Sequence, residues 1–139
     1  MEGVAEQVVQ LERLAQLLVE VVFEIVSEDG ALWDAAATAL SAALAVGGFD
    51  MYETFSACSA GVSDQGTLLT DLTAEQEASA ANVVTVVCSL ATGNLLYVHQ
   101  SGLCDVSTLE SLVQQATQGV ALRKECVLQQ LRESITAKP

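Results

Sequence analysis

Thiols and an imidazole have the widest chemical reach in this 139-residue sequence, because they bind zinc, attack carbonyl carbons and move protons near neutral pH. Their spacing here argues against such uses. Cys58, Cys88, Cys104 and Cys126 stand 30, 16 and 22 residues apart. No Cys-x-x-Cys pair occurs, and His99 alone cannot complete a zinc set with recognisable ligand spacing. Free buried thiols are expected, with a disulfide pair as the alternative. His99, near the end of an expected strand, has no evident cysteine or carboxylate partner and reads as a structural or surface histidine rather than a base. Glu20 and Glu24 are two of many solvated carboxylates, or they face the basic surface of a partner. Gly47-Gly48 is too short a glycine signal for phosphate and reads as a helix stop. Trp33, the only tryptophan, is a core anchor or, since Trp is enriched at binding hot spots, an interface anchor. No Walker loop, dinucleotide fingerprint, His-Glu-x-x-His or Gly-x-Ser-x-Gly is present.

These residues are carried by a regular alternation of elements. Val4, Val8, Leu11, Leu14, Ala15 and Leu18 recur every three or four positions, which predicts a helix over 4–18. From Val19 the period shortens to two: Val19, Val21, Phe23 and Ile25 against Glu20, Val22, Glu24 and Val26, a strand. Ser27-Glu28-Asp29-Gly30 turns the chain, with Asp29 or a neighbour capping an alanine-rich helix over 31–46. Its expected buried face is Leu32, Ala36, Ala39, Leu40, Ala43 and Leu44. Residues 51–62 and 67–72 form a hairpin through Ser63-Asp64-Gln65-Gly66. Thr73 and Gln76 have capping-box spacing for a short helix. The β-branched run 83–90 predicts a strand covered on both faces, and 95–100 its hairpin partner. Ser107-Thr108-Leu109-Glu110 reads as a second capping box. It opens a helix with Leu109, Leu112, Val113, Ala116, Val120, Val127, Leu131 and Ile135 inward, and Arg123, Lys124, Arg132 and Lys138 in its C-terminal half.

Composition narrows the function classes. Half the chain is apolar (51%) and mean hydropathy is +0.41, too high for a disordered tail. Five Lys and Arg against 18 Asp and Glu give a net charge of −13. No cation occurs between Arg13 and Arg123, where thirteen acids fall, so the chain by itself should repel nucleic acid and anionic membrane. No signal peptide is evident and no run nears the roughly 20 apolar residues of a membrane span. The expectation is a soluble, intracellular chain folded as a single α/β (α+β) domain over 1–139, with a mixed sheet and packed helices.

The run from Glu24 to Ala36, Glu-Ile-Val-Ser-Glu-Asp-Gly-Ala-Leu-Trp-Asp-Ala-Ala, followed by an alanine-rich helix, resembles the second half of the RNase PH fold (the ribosomal protein S5 domain 2-like fold). Four further stretches fit in order over roughly 18–135. Gly48-Phe49-Asp50-Met51-Tyr52-Glu53 leads into a strand, and Leu68 to Glu77 looks like the family's Leu-Asp-x-Thr-x-x-Glu-Glu segment. The strand pair from Val83 to Gln100 closes on Ser101-Gly102, and an amphipathic C-terminal helix follows. The resemblance is to a non-catalytic exosome ring subunit of the mRNA-transport-regulator type, C-terminal half only.

Phosphorolytic members continue the acid-Gly turn with Gly-Thr/Ser-Arg, which holds the attacking phosphate. The matching positions here are Ala31, Leu32 and Trp33, so the arginine is missing. Catalytic members also carry two aspartates six residues apart; the first matches Glu77, the second Val83, or Asn82 with a one-residue slip. The resemblance therefore implies no enzyme activity and no catalytic, cofactor-binding or metal-binding residues. It implies a structural subunit of an RNA exosome-type ring in 3′–5′ RNA processing and degradation, in the nucleus (nucleolus) and cytoplasm. Its partners would be other RNase PH-like exosome subunits in a hetero-oligomer, with a homo-oligomer as the alternative, no DNA or membrane, and RNA only through the assembled complex. Two other readings stand beside it: a residual phosphorolytic 3′–5′ exoribonuclease using Glu77 as general acid, and an acidic α/β protein-interaction module unrelated to RNA.

Overall fold

The computed structural model describes residues 1–14 and 16–137; Ala15 and Lys138, two positions of the expected helices, lie outside them. Its centre is a four-stranded sheet. The strands are β1 (Phe55–Val62), β2 (Leu68–Thr70), β3 (Asn82–Ser89) and β4 (Leu95–Gly102). They lie in the order β2-β1-β3-β4. β1 and β3 pair along their whole length, from Phe55 opposite Ser89 to Val62 opposite Asn82. β4 adds to β3 with a bulge at Val87/Cys88, and β2 pairs only with Ala60–Val62. Every one of these pairs is antiparallel, which places the molecule on the α+β side of the expectation. The β-branched run of β3 is covered on both faces, as its composition requires.

One face of the sheet meets α1 (Glu2–Val8) and α2 (Leu32–Gly47), where Val4, Val8, Ala37, Leu40 and Leu44 pack on Phe55, Ala57 and Val87. The other meets α4 (Val106–Thr136), where Leu112, Ala116 and Val120 pack on Cys58, Ala60, Val84 and Val86. The short α3 (Ala74–Ser79) opens with the capping box expected at Thr73 and Gln76. Gly48 ends α2 with φ +79, a conformation that costs a glycine little. α4 follows the expected stripe, except that Ile135 is exposed. Its cap is Asp105 rather than the Ser107 box: the Asp105 carboxylate accepts from Thr108 N–H at 2.9 Å, and Ser107 donates to that carboxylate.

Three expectations give way to tertiary context. The buried face of α2 is Asp34, Ala37, Leu40, Ser41 and Leu44, while Ala39 and Ala43 are exposed. Alanine on every side left hydrophobicity almost uninformative, and polar anchors chose the rotation. β1 begins at Phe55 rather than Met51, because Met51 and Tyr52 pair instead with the N-terminal segment: Tyr52 N–H donates to Val8 C=O at 2.8 Å. That same pairing stops the first helix at Val8, after which a 3₁₀ turn runs over Leu11–Leu14. No strand forms over 19–26. The segment keeps its alternation, yet neither edge of the described sheet reaches it to supply a ladder.

Candidate functional site

The turn Asp29–Trp33 holds the positions that would grip phosphate by the resemblance. Gly30 (φ +87) lies directly against the chain after β2: a Cβ there would stand 2.5 Å from Leu72 O, Thr73 C and Ala74 N. Ala74 N–H donates to Asp29 C=O at 2.9 Å, so turn and α3 are bound backbone to backbone. Asp29 thus contributes its carbonyl and not the cap first expected of it. The N-cap of α2 is Ala31, in the left-handed region at φ +48, and no side chain caps it. Trp33 is 54% exposed and tilts toward His99 of β4, ring centroids 6.3 Å apart. It is therefore no core anchor, and it offers an apolar face at the position where the resemblance expects an arginine. His99 is exposed beside it, as a surface histidine.

One turn into α2, Asp34 turns inward and is 3% exposed. Its reason is the shortness of β2. From Phe55 to Ser59 the edge of β1 has no neighbouring strand, and buried amides left unpaired are costly. Side chains take the place of a strand there. Phe55 N–H donates to Ser41 Oγ at 2.9 Å, Ala57 C=O accepts from Arg123 Nη1 at 3.1 Å, and Ser59 N–H donates to Asp34 Oδ2 at 2.7 Å. Ser59 Oγ also donates to Asp34 Oδ1 and lies 2.8 Å from Thr85 Oγ1. Asp71, in the left-handed region at φ +59, donates its N–H to Ser59 C=O and places its carboxylate 2.6 Å from Arg123 Nη2. Arg123 Nη1 stands 3.7 Å from Asp34.

This cluster borders a cleft of about 350 Å³ between Gly30, Ala31, Asp34, Asp71 and Arg123. Burial pushes the Asp34 carboxyl up, against the hydrogen bonds from Ser59 and the charge of Arg123, which hold it down. Burial also works against the Arg123 charge, but the Asp71 hydrogen bond and surrounding negative groups outweigh it and raise the guanidinium. With two carboxylates on one guanidinium, the cleft presents no surplus cation to a phosphate. Arg13 is committed to Asp50 at 2.9 Å on another part of the surface.

Glu77 lies half-buried on α3. Of the two candidates for the second carboxylate, Val83 is apolar. Asn82 is buried at the start of β3, with Nδ2 donating to Leu103 C=O at 3.4 Å and Oδ1 without a partner among the described residues. An amide has no proton to deliver as an acid. Gly30 and Asp29 lie against Leu72–Ala74, so the turn before α2 and the start of the helix that carries Glu77 are neighbours. All four cysteines are free; Cys58 and Cys88 are buried, whereas Cys126 is exposed and Cys104 half-buried, so burial describes only the first pair. Among the described residues no helix is long and apolar enough to cross a membrane.

The sequence placed Arg123 only in the C-terminal half of its helix and passed over Gly119. At Gly119 a Cβ would stand 2.4 Å from Cys58 Sγ. A cation on the inner half of an amphipathic stripe was the available signal for Arg123, and a glycine inside a long helix the signal for close packing.

No family model matches the chain, and no curated protein matches it significantly. Among solved structures, rice (Oryza sativa) Rrp46 superposes with a TM-score of 0.65 at 20% identity. The match covers 80% of this chain and 51% of the rice protein, so the chain spans about half that protein's length. The α+β arrangement built above, a four-stranded antiparallel sheet between helices, is the RNase PH-like fold that this chain shares with part of rice Rrp46.

Proposed function

We propose that the chain is a non-catalytic structural subunit of an RNA exosome-type ring involved in 3′–5′ RNA processing and degradation. It contacts RNase PH-like neighbours directly and RNA only through the assembled complex, in the nucleus (nucleolus) and cytoplasm. The ordered motif resemblance and the shared fold support the ring assignment. The observation that carries the non-catalytic reading is Trp33, exposed where a phosphate-holding arginine would stand, beside an Arg123 already shared by Asp34 and Asp71. Phosphorolysis needs its attacking dianion positioned and partly neutralised, and these side chains do neither.

The test is co-purification with tagged RNase PH-like exosome subunits, together with a 3′-trimming assay on single-stranded RNA with and without orthophosphate. Stoichiometric recovery and no phosphate-dependent release of nucleoside diphosphates are expected. Trimming that requires orthophosphate and is lost in Glu77→Gln would make the chain an enzyme. Recovery as a stable monomer with no exosome subunit attached would leave the interaction-module reading in its place.

A further inference from the structure

Residues 18–26 are strand-like in composition and lie outside every helix and strand, and no backbone hydrogen bond among the described residues reaches them. Their two sides differ. Val19, Val21 and Phe23 are 39–44% exposed and, with Leu17, line a cavity of about 460 Å³ against Val9, Leu40, Leu44 and Phe49. Leu18, Val22 and Val26, at the other parity, are 79–95% exposed, and Ile25 is 57% exposed. Glu20 and Glu24 alternate with them at the same two-residue period, and both are exposed and without an ion pair among the described residues. The outer face therefore reads apolar, acidic, apolar, acidic, apolar, at the two-residue period of a strand. An open ladder of amides with a patterned face is the substrate for strand addition, in which backbone bonds give affinity and alternate side chains give specificity.

We propose that residues 18–26 form one strand of an intermolecular sheet, completed by an extended segment of a partner protein that alternates apolar residues with Lys or Arg. Cross-strand pairing sets the partner's cations opposite Glu20 and Glu24 and its apolar residues opposite Leu18, Val22 and Val26. A second copy of the same segment fits poorly: antiparallel pairing about Val22 would set Glu20 against Glu24 at two places. The surrounding charge of −13 repels acidic segments and attracts basic ones. The inference does not depend on the ring reading, since a ring could close through other faces with these amides still open.

The experiment titrates the full chain into three labelled nine-residue peptides, followed by anisotropy. One alternates Val with Lys at every fourth position, one carries Glu in place of Lys, and one has the first peptide's composition with its lysines grouped. Amide hydrogen exchange is recorded with and without each peptide. The alternating Lys peptide should bind, slow exchange across 18–26, and weaken with added salt. Glu20→Lys with Glu24→Lys should weaken it by about tenfold or more and create binding to the Glu peptide. These substitutions lie on an exposed segment outside the core, and circular dichroism confirms the fold. Equal binding of the grouped-lysine peptide, an unchanged preference after charge reversal, or slow exchange across 18–26 in the peptide-free monomer would overturn the proposal. So would a dimer in light scattering that dissociates on Val22→Lys, which would make a second copy the occupant.

Discussion

Asp34 and Ser59, 25 residues apart, are joined through both carboxylate oxygens: the Ser59 amide donates to Oδ2 at 2.7 Å and its hydroxyl to Oδ1. The first helix turn after the Asp29–Gly30 bend is thereby fastened to the strand edge that β2 is too short to cover. The same bend packs on Leu72–Ala74 through Gly30. Read physically, the Asp-Gly-x-x-x-Asp-Ala pattern of Asp29–Ala35 is a fastening device: a carbonyl for Ala74, a missing Cβ, and a carboxylate for the edge of β1.

Arg123→Met should destabilise the chain by about 1–3 kcal/mol in urea unfolding. It leaves Asp34 buried without its cation and the Ala57 carbonyl without a donor. The loss falls below that of a fully buried pair because the Arg123 side chain is 30% exposed. Asp34→Asn in the Arg123→Met background should recover part of it. Equal stability of wild type and Arg123→Met would show that the guanidinium contributes only on the surface.

The pH dependence of Asp34 has a definite sign. Burial raises its carboxyl above 3.8 in the folded state, so just above that pH the native chain binds more protons than the unfolded chain. Its contribution is complete below 3.8 and is lost as pH rises through the raised folded value. The unfolding free energy of wild type minus that of Asp34→Asn should therefore fall with pH in a window opening at about 3.8. A difference that rises with pH there would mean the Ser59 bonds and Arg123 outweigh burial.

Cys58 should be inert to thiol reagents in the native chain. Its thiol is buried under α4 and pushed up to about 11, chiefly by burial. Cys126 should label fastest, Cys104 more slowly, and Cys58 and Cys88 only at the rate of unfolding. Mass spectrometry of timed maleimide labelling reads the order; early modification of Cys58 would contradict the packing of α4 on β1.

Gly119→Ala should cost about 1–3 kcal/mol although alanine is the better helix former, because its Cβ would meet Cys58 Sγ. Cys58→Ala should relieve most of that cost in the double variant. Additive losses would place the strain elsewhere.

The secondary-structure reading rested on local signals that survive in three dimensions: the Ser63–Gly66 turn, the Thr73–Gln76 box, the Val83–Val87 run and the stripe of α4. Each is decided by residues within one element, so each could be read before any contact was known. The residues Ala31, Leu32 and Trp33, where the resemblance expects Gly-Thr/Ser-Arg, were legible in the same way. That Trp33 faces outward while Asp34 goes inward was not, because an alanine-rich helix has no strong apolar side to orient it.

By itself the sequence determined the four strands of the sheet to within a few residues, α2, α4 and their order, since hydrophobic period and turn chemistry are short-range properties; it did not determine the end of the first helix or the fate of 19–26. Only the tertiary structure decided which backbone groups remained to be satisfied. It left the edge of β1 bare beyond β2, which drew in Asp34, Ser41 and Arg123, and it left 18–26 without a ladder. The physical reason is the same in both places: a strand's side chains announce its tendency to pair, but pairing needs a neighbour at hydrogen-bond distance, and the neighbour belongs to the fold.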